Sequence, residues 1–269
     1  MSFFLFEEKG VRRVRHQEDF NGIVLFSRNY KDKDKLVKIF TETYGKKMFF
    51  VKGANRKNNP LTAALQPFTK ACFIGDIKSE GLSFLNTVKE ITPYEKIQTD
   101  IFISAYATYI LNLVDVAIED GIYDPALYGF TLEALVLLNK EVDPEIVTNI
   151  FEVQLLQRFG ITINWKSCAI CGNKQGKFDY SYANNGLLCE KHWHMDERRA
   201  HFNPRGLHFI RLFSQIKYDQ LNTIDLQSET KDQIRIILDD LYQEYVGIFL
   251  KSKKFIDEMK SWENMLKKD

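Results

Sequence analysis

The chain lacks the features that would place it in several well-defined classes of protein. No apolar run approaches the roughly 20 residues that a membrane-spanning helix requires, so we expect no membrane contact. The short apolar run at residues 3–6 is followed at once by two glutamates and does not resemble a secretory leader. The chain also contains no G-x-x-x-x-G-K-[ST] loop, no G-x-G-x-x-G and no H-E-x-x-H. We therefore expect a cytoplasmic protein that is not an enzyme.

Cysteine is scarce as well, and its distribution is informative. The chain has four cysteines in 269 residues, and three of them fall in one short window. Cys168 and Cys171 form a C-x-x-C pair, and Cys189 and His192 form a C-x-x-H pair farther along the chain. Two such pairs supply the four soft ligands of a tetrahedral zinc ion. The predicted cofactor is a structural Zn²⁺, because four protein ligands leave no position for a reacting water.

The segment between the two pairs predicts how the ligands are brought together. Residues 178–182 alternate aromatic and polar side chains, and an Asn-Asn-Gly turn follows at 184–186, which is typical of a hairpin. His194 and His201 lie close enough in sequence to replace His192 as the fourth ligand. A zinc deaminase would need a glutamate in a His-x-Glu or Cys-x-Glu triplet, and the segment at about 164–195 that holds the two ligand pairs contains neither.

The formal net charge of +1 conceals an uneven distribution of charge along the chain. Residues 1–90 carry seventeen Lys and Arg against ten Asp and Glu. Residues 91–164 carry three against eleven, and residues 165–269 carry seventeen against fifteen. The front of the chain should therefore attract polyanions such as nucleic acids, whereas the acidic middle should contact protein instead.

The front of the chain is predicted to be a β-barrel. Five segments have the composition and spacing of short strands, at 22–28, 35–41, 46–52, 65–74 and 82–88. Five short strands with one longer connection after the third fit a small closed barrel of the OB type. An SH3-like barrel would fit the same count nearly as well.

The predicted barrel carries the two kinds of side chain that bind single-stranded nucleic acid, cations and aromatic rings. The candidate DNA-binding residues are the cations Arg28, Lys35, Lys38, Lys46, Lys47, Lys52, Arg56 and Lys57. The aromatic residues interleaved with them are Tyr30, Phe40, Tyr44, Phe49 and Phe50. About half of these rings must fill the barrel interior, and strand alternation alone does not say which.

From about residue 95 the apolar residues adopt helical spacing. Three stretches are predicted as helices, at 101–113, 127–138 and 145–158. Pro125 and Pro144 stand where a first helical turn accepts proline, and Asn203 stands where a later helix would be capped. Ser228 is predicted to open the longest helix, with an apolar stripe that continues to Phe249.

Several local motifs occur in an order that is similar to one known family. They are GIVL at 22–25, RNY at 28–30, KLV at 35–37, VKGA at 51–54, LQPF at 65–68 and FG at 159–160, followed by the two ligand pairs. Together with the order of barrel, helices and ribbon, they resemble the bacterial RecO family of recombination mediators. Many members of that family have a fourth cysteine at the position of His192, and histidine also binds zinc.

The resemblance implies an α+β protein with three parts. It has an extension at residues 1–19, an OB-type barrel at 20–92 and a helical domain at 93–269 with a zinc ribbon inserted at about 164–195. It implies a non-enzymatic, nucleoid-associated mediator of DNA repair and homologous recombination that binds single- and double-stranded DNA and anneals complementary strands. The implied partners are RecR and the acidic C-terminal tail of single-strand binding protein, with RecA loaded indirectly. The alternative is an RNA-binding protein with the same barrel and ribbon.

Overall fold

The computed structural model describes residues 17–221 and 224–266, with side chains described as far as residue 262. Its first five strands form a closed barrel in the order β1-β2-β3-β5-β4. The strands are β1 (Gln17–Tyr30), β2 (Asp34–Thr41), β3 (Gly45–Val51), β4 (Thr69–Asp76) and β5 (Ser83–Pro93). Their pairings are antiparallel except between β3 and β5, which run parallel.

Two strand starts differ from the sequence-based prediction by four residues or more, and β5 runs five residues past its predicted end. The strand β1 begins at Gln17 and pairs with β4 from that residue onward, so residues 17–19 of the predicted extension belong to the barrel. The rest of that extension lies outside the described residues. The strand β4 begins at Thr69 rather than at residue 65. Pro67 has no backbone N–H to give to a ladder, and Phe68 has a φ of +61°, so the chain turns there.

Four helices follow the barrel, in agreement with the predicted change of spacing. They are α1 (Glu95–Thr99), α2 (Ile101–Ala117), α3 (Pro125–Asn139) and α4 (Pro144–Leu155). Pro125 and Pro144 open α3 and α4 as predicted, each preceded by a capping aspartate. The side chain of Asp124 accepts the backbone N–H of Leu127 at 2.8 Å. These caps satisfy donors that a helix start otherwise leaves free.

The last part of the chain contains three more helices, α5 (Pro204–Phe213), α6 (Ser228–Leu241) and α7 (Lys251–Leu266). Asn203 caps α5 as predicted. The prediction that the helix opened by Ser228 continues to Phe249 was wrong. A π-helical turn at Tyr242–Val246 and Gly247, with a φ of +65°, end it, and Phe249 is 77% exposed. Among the described helices, α2 is the longest, at 17 residues.

A second, three-stranded sheet lies between α4 and α5 in the chain. It consists of β6 (Asn164–Cys168), β7 (Phe178–Ser181) and β8 (Gly186–Cys189), in the order β6-β8-β7. The predicted Asn-Asn-Gly turn joins β7 to β8, with Asn185 at a φ of +43°. This sheet packs on the helices, because the guanidinium of Arg211 in α5 lies 4.2 Å from the ring centroid of Phe178.

The predicted α+β class is confirmed, and its apolar residues form two clusters. One cluster fills the barrel, and the other joins the helices to the three-stranded sheet and to a few outward-facing barrel residues such as Phe40. The barrel is thus docked on the helical region through apolar side chains, with burial as the driving force. Within residues 17–221 and 224–266, no helix combines the length and apolar character that a membrane crossing would need.

Candidate nucleic-acid surface and metal centre

The four predicted zinc ligands converge on one point of the three-stranded sheet. Cys168 and Cys189 end β6 and β8, Cys171 lies in the turn after β6, and His192 lies in the 3₁₀-helix Glu190–Met195. Their ligand atoms all lie within 4.8 Å of one another. The predicted convergence of these four residues is therefore confirmed.

The spacing of these atoms suits a tetrahedral metal ion. Two sulfur atoms that each lie about 2.3 Å from a tetrahedral zinc are about 3.8 Å apart. The Sγ atoms of Cys171 and Cys189 are 3.8 Å apart, and the Nδ1 atom of His192 is 3.3 Å from the Sγ of Cys189. The donor set thus fits a metal ion of this size. Neither His194 nor His201 belongs to the converging group, so the choice among histidines falls on His192.

The backbone around Cys168 favours the thiolate, which is the form that binds metal. Burial acts to raise the pKa of Cys168, but backbone N–H groups of Cys189, Cys171 and Ile170 outweigh it and lower the pKa to about 6. Glu190, between two ligands in sequence, is directed outward and lies 3.5 Å from Lys177. The arrangement can hold a metal, and no carboxylate is among the converging groups of the described residues.

The outer face of β2 and β3 is divided into a covered end and an open end. Outward-facing residues pair across the two strands as Phe40 with Lys46, Lys38 with Met48 and Leu36 with Phe50. The ring of Phe40 meets Tyr128 of α3 edge-on, with 5.4 Å between centroids. Lys46 is only 1% exposed. The helical region therefore covers the Phe40 end of this face, and the Phe50 end faces outward.

Two of the predicted DNA-binding lysines are engaged at the covered end. The Nζ of Lys38 lies 2.6 Å from Asp115 and 3.0 Å from Asp120. The Nζ of Lys46 lies 3.1 and 3.4 Å from the same carboxylates and also donates to the backbone carbonyl of Asp115. Burial acts to lower the pKa of Lys38, but hydrogen bonds and charges from Asp115 and Asp120 outweigh it and raise that pKa.

At the covered end, the backbone at the start of β3 also lies directly against the backbone that follows α2. The N–H of Gly121 donates to the carbonyl of Lys46 at 2.8 Å. Gly45 has a φ of +65°, and a Cβ there would lie 2.2 Å from the carbonyl oxygen of Ile122. Only glycine fits this position, since a side chain would collide with backbone. The side chain of Lys46 is buried and cannot contact a phosphate. Lys38 is paired with the same two carboxylates. We therefore leave both lysines out of the DNA interface proposed below.

The other six candidate cations are placed differently. Lys47 donates to the backbone carbonyls of Lys78 and Ser79, at 3.1 and 2.9 Å. Lys35 is half-buried, and the exposed cations are Arg28, Lys52, Arg56 and Lys57. Within the described residues, no ion pair involves Lys35 or these four. Of the eight candidate cations, these five are therefore the ones that remain available to a polyanion.

The structure also shows which of the candidate aromatic rings are buried and which are accessible. Phe40 and Phe49 are fully buried, whereas Tyr30 is 43% exposed and Phe50 is half-buried on the open end of the face. Sequence reasoning missed Phe84, which pairs with Phe50 across the parallel strands. Its alternation with buried Leu85 could have indicated an outward ring, but only the fold places it beside Phe50.

Comparison with known proteins agrees with this architecture. The family models described as recombination protein O N terminal and recombination protein O C terminal match residues 16–94 and 98–254. A "DNA repair protein RecO" from Enterococcus faecalis is 63% identical over 246 residues, which cover 91% of this chain and 94% of that protein. A protein of the same name from Lactococcus lactis subsp. cremoris strain MG1363 is 50% identical, with 91% and 97% covered. The chain therefore belongs to the RecO family of DNA repair and recombination proteins.

Proposed function

We propose that this chain is a non-enzymatic recombination mediator that binds single- and double-stranded DNA through its barrel and anneals complementary strands. The observation that carries the proposal is the group of exposed cations around the open end of the barrel face. They are Arg28, Lys52, Arg56 and Lys57, with the half-buried Lys35 beside them. Membership of a DNA repair family supports DNA as the polyanion that they bind.

The topology supports an OB-type barrel in this role. The strand order β1-β2-β3-β5-β4, closed between β4 and β1, is that of a five-stranded Greek-key barrel. OB barrels bind oligonucleotides on the face of their second and third strands and on the loops after their first and fourth strands. The open end of the β2–β3 face therefore has the position expected of a DNA-binding surface.

Annealing by such a surface needs no chemical fuel. Two complementary strands repel each other through their phosphates, and bound lysine and arginine side chains reduce that repulsion while releasing counterions. Base pairing then supplies the free energy. This mechanism is compatible with the lack of the nucleotide-binding motifs considered above and with a protein that is not an enzyme.

We further propose that the converging cysteines and histidine hold Zn²⁺ in a structural role. Cys168, Cys171, Cys189 and His192 would bind the ion, and a bound ion would tie the ends of β6 and β8 together. The ribbon at about 164–195 would then be an insertion in the helical domain at 93–269. The barrel, placed at 20–92 from the sequence, would be a domain of its own that begins at Gln17 and docks on the helical one.

The proposed partners are RecR and the acidic tail of single-strand binding protein, and RecA is loaded indirectly on the DNA. The acidic charge of residues 91–164 supports protein contact rather than DNA contact in that region. We propose that the protein acts in the cytoplasm, associated with the nucleoid.

The test is the annealing of two complementary oligonucleotides coated with single-strand binding protein, followed by fluorescence without nucleotide or added metal. We expect faster pairing with the protein than without it. A variant with glutamate at Arg28, Lys52, Arg56 and Lys57 should remain folded and lose the acceleration. No acceleration by the folded, zinc-bound parent protein would refute the proposal, and tighter binding to RNA of the same sequence would favour the RNA-binding alternative.

A further inference from the structure

Three aromatic rings form a continuous strip on the open end of the barrel face. Tyr30 at the end of β1 meets Phe50 edge-on, with 6.0 Å between ring centroids and an interplanar angle of 87°. Phe50 in turn meets Phe84 of β5, at 5.9 Å and 75°. We call these three residues the aromatic strip. Tyr30 is 43% exposed and the other two are half-buried, so the strip is accessible at the surface.

Cations stand at both ends of the aromatic strip. The Nζ of Lys31 lies 5.5 Å from the ring centroid of Tyr30, and the Nζ of Lys78 lies 4.8 Å from that of Phe84. Lys31 belongs to the loop after β1, and Lys78 belongs to the loop after β4. These are the two loops with which OB barrels hold oligonucleotides.

The charge around the strip decides what could cover it. The exposed Arg28 is paired in register with Leu36, which is itself paired with Phe50, and Lys52 follows β3 at the same end of the barrel. The nearby carboxylate of Asp34 accepts the backbone N–H of Gly53 at 2.7 Å. An apolar ring surface surrounded by cations is complementary to a polyanion that has flat apolar rings of its own, which describes a nucleic-acid strand.

We propose that the aromatic strip stacks unpaired bases and so makes the barrel prefer single-stranded over double-stranded DNA; this inference rests on the proposed DNA-binding function. Bases along one strand of a duplex are about 3.4 Å apart and cover one another's faces. The rings of the strip are nearly 6 Å apart and almost perpendicular to their neighbours. Only a strand whose bases are unpaired and separated can place its bases on such rings.

The test compares the affinities of variants for a single-stranded oligonucleotide and for the duplex of the same sequence. Tyr30→Ala should weaken single-strand binding about tenfold, which corresponds to about 1.4 kcal/mol and lies within the range of one lost stacking contact. Its affinity for the duplex should stay unchanged. Lys52→Ala should instead weaken both, because a phosphate contact does not depend on pairing. Phe249→Ala, at a 77% exposed ring outside the barrel, should change neither.

Two further variants separate stacking from fold and bulk. Tyr30→Leu keeps apolar volume without a ring and should behave like Tyr30→Ala, with circular dichroism as the check of folding. Tyr30→Trp should restore single-strand affinity, and its fluorescence should be quenched by the single strand and not by the duplex. The three native tryptophans lie at 165, 193 and 262, outside the barrel, so a parallel titration of the parent protein corrects for them.

The outcomes distinguish this inference from the proposed function. The stacking proposal is overturned if Tyr30→Ala binds the single strand as tightly as the parent does, or if its affinity falls equally for both forms of DNA. DNA binding by the barrel would stand in either case. If the folded parent protein binds neither form of DNA, the proposed function itself fails.

Discussion

Replacing Lys46 with methionine is expected to destabilise the docking of the barrel on the helical region and to leave DNA binding unchanged. The ammonium group of Lys46 lies 3.1 Å from Asp115 and 3.4 Å from Asp120, and it also donates to the backbone carbonyl of Asp115. The residue is 1% exposed. Methionine approximates the volume of the lysine stem and removes the donors, so the substitution tests the charge rather than the packing.

The magnitude follows from what the substitution leaves behind. Removing one partner of a buried ion pair costs about 3–5 kcal/mol when the other charge loses all compensation. Here Lys38 remains 2.6 Å from Asp115 and 3.0 Å from Asp120, and the side chain of Asp120 is 54% exposed. The loss should therefore be closer to that of hydrogen bonds to charged groups, about 1.5–3 kcal/mol.

The assay combines urea unfolding with DNA titrations at several salt concentrations. Lys46→Met should lower the free energy of unfolding by the amount above and keep the parent slope of log affinity against log salt. The matched control is Lys52→Met, at an exposed lysine of the same barrel. It should change stability by less than about 0.5 kcal/mol. Its slope for single-stranded DNA should fall by about 0.7, the contribution of one phosphate contact.

One result would refute this reasoning. If Lys46→Met kept the parent stability and reduced the salt slope, the lysine would contact phosphate in solution. The covered end of the β2–β3 face would then be open, and the ion cluster with Asp115 and Asp120 would not hold the barrel in place.

Two further predictions concern the metal centre and the helical core. Cys168→Ser should lose the proposed zinc and lower the melting temperature, because the ion would tie the ribbon strands together. Cys72→Ser, outside the cluster, should keep the parent metal content and melting temperature. Elemental analysis and thermal melts measure this, and a metal-replete, fully stable Cys168→Ser would contradict it. Glu152→Leu should cost about 3–5 kcal/mol in urea unfolding, because Arg235, 2.5 Å away and largely buried, loses its main partner. Adding Arg235→Leu should recover most of that loss, and a double variant as unstable as the summed single variants would contradict the coupling.

Local signals in the sequence predicted most helix starts and a cluster of three cysteines with a histidine, and the fold selected His192 among the three candidate histidines. The two ligand pairs converge as their spacing predicts, because each short turn brings two side chains to one side of a strand end. Pro125 and Pro144 open their helices because a first turn needs no N–H from that residue. Such features depend on a few neighbouring residues, so the sequence contains all the information that they need.

The ends of elements were less predictable where tertiary structure interrupts a continuing pattern. The apolar spacing after Ser228 runs on to Phe249, yet α6 ends at Leu241 and a π-helical turn and Gly247 redirect the chain. Periodicity indicates which residues could lie on one helix face. It does not indicate where the helix ends, because a glycine in a left-handed conformation can end a helix at little cost in free energy.

The roles of the barrel cations were decided only by tertiary structure. The sequence by itself determined that the front of the chain is basic and the middle acidic, but it did not show that the two regions contact each other. In the fold, Asp115 and Asp120 of the acidic middle meet Lys38 and Lys46 of the barrel. Whether a lysine is free to bind DNA depends on the charges and the surface around its ammonium group, and for Lys46 these come from residues about seventy positions away, which no local pattern can contain.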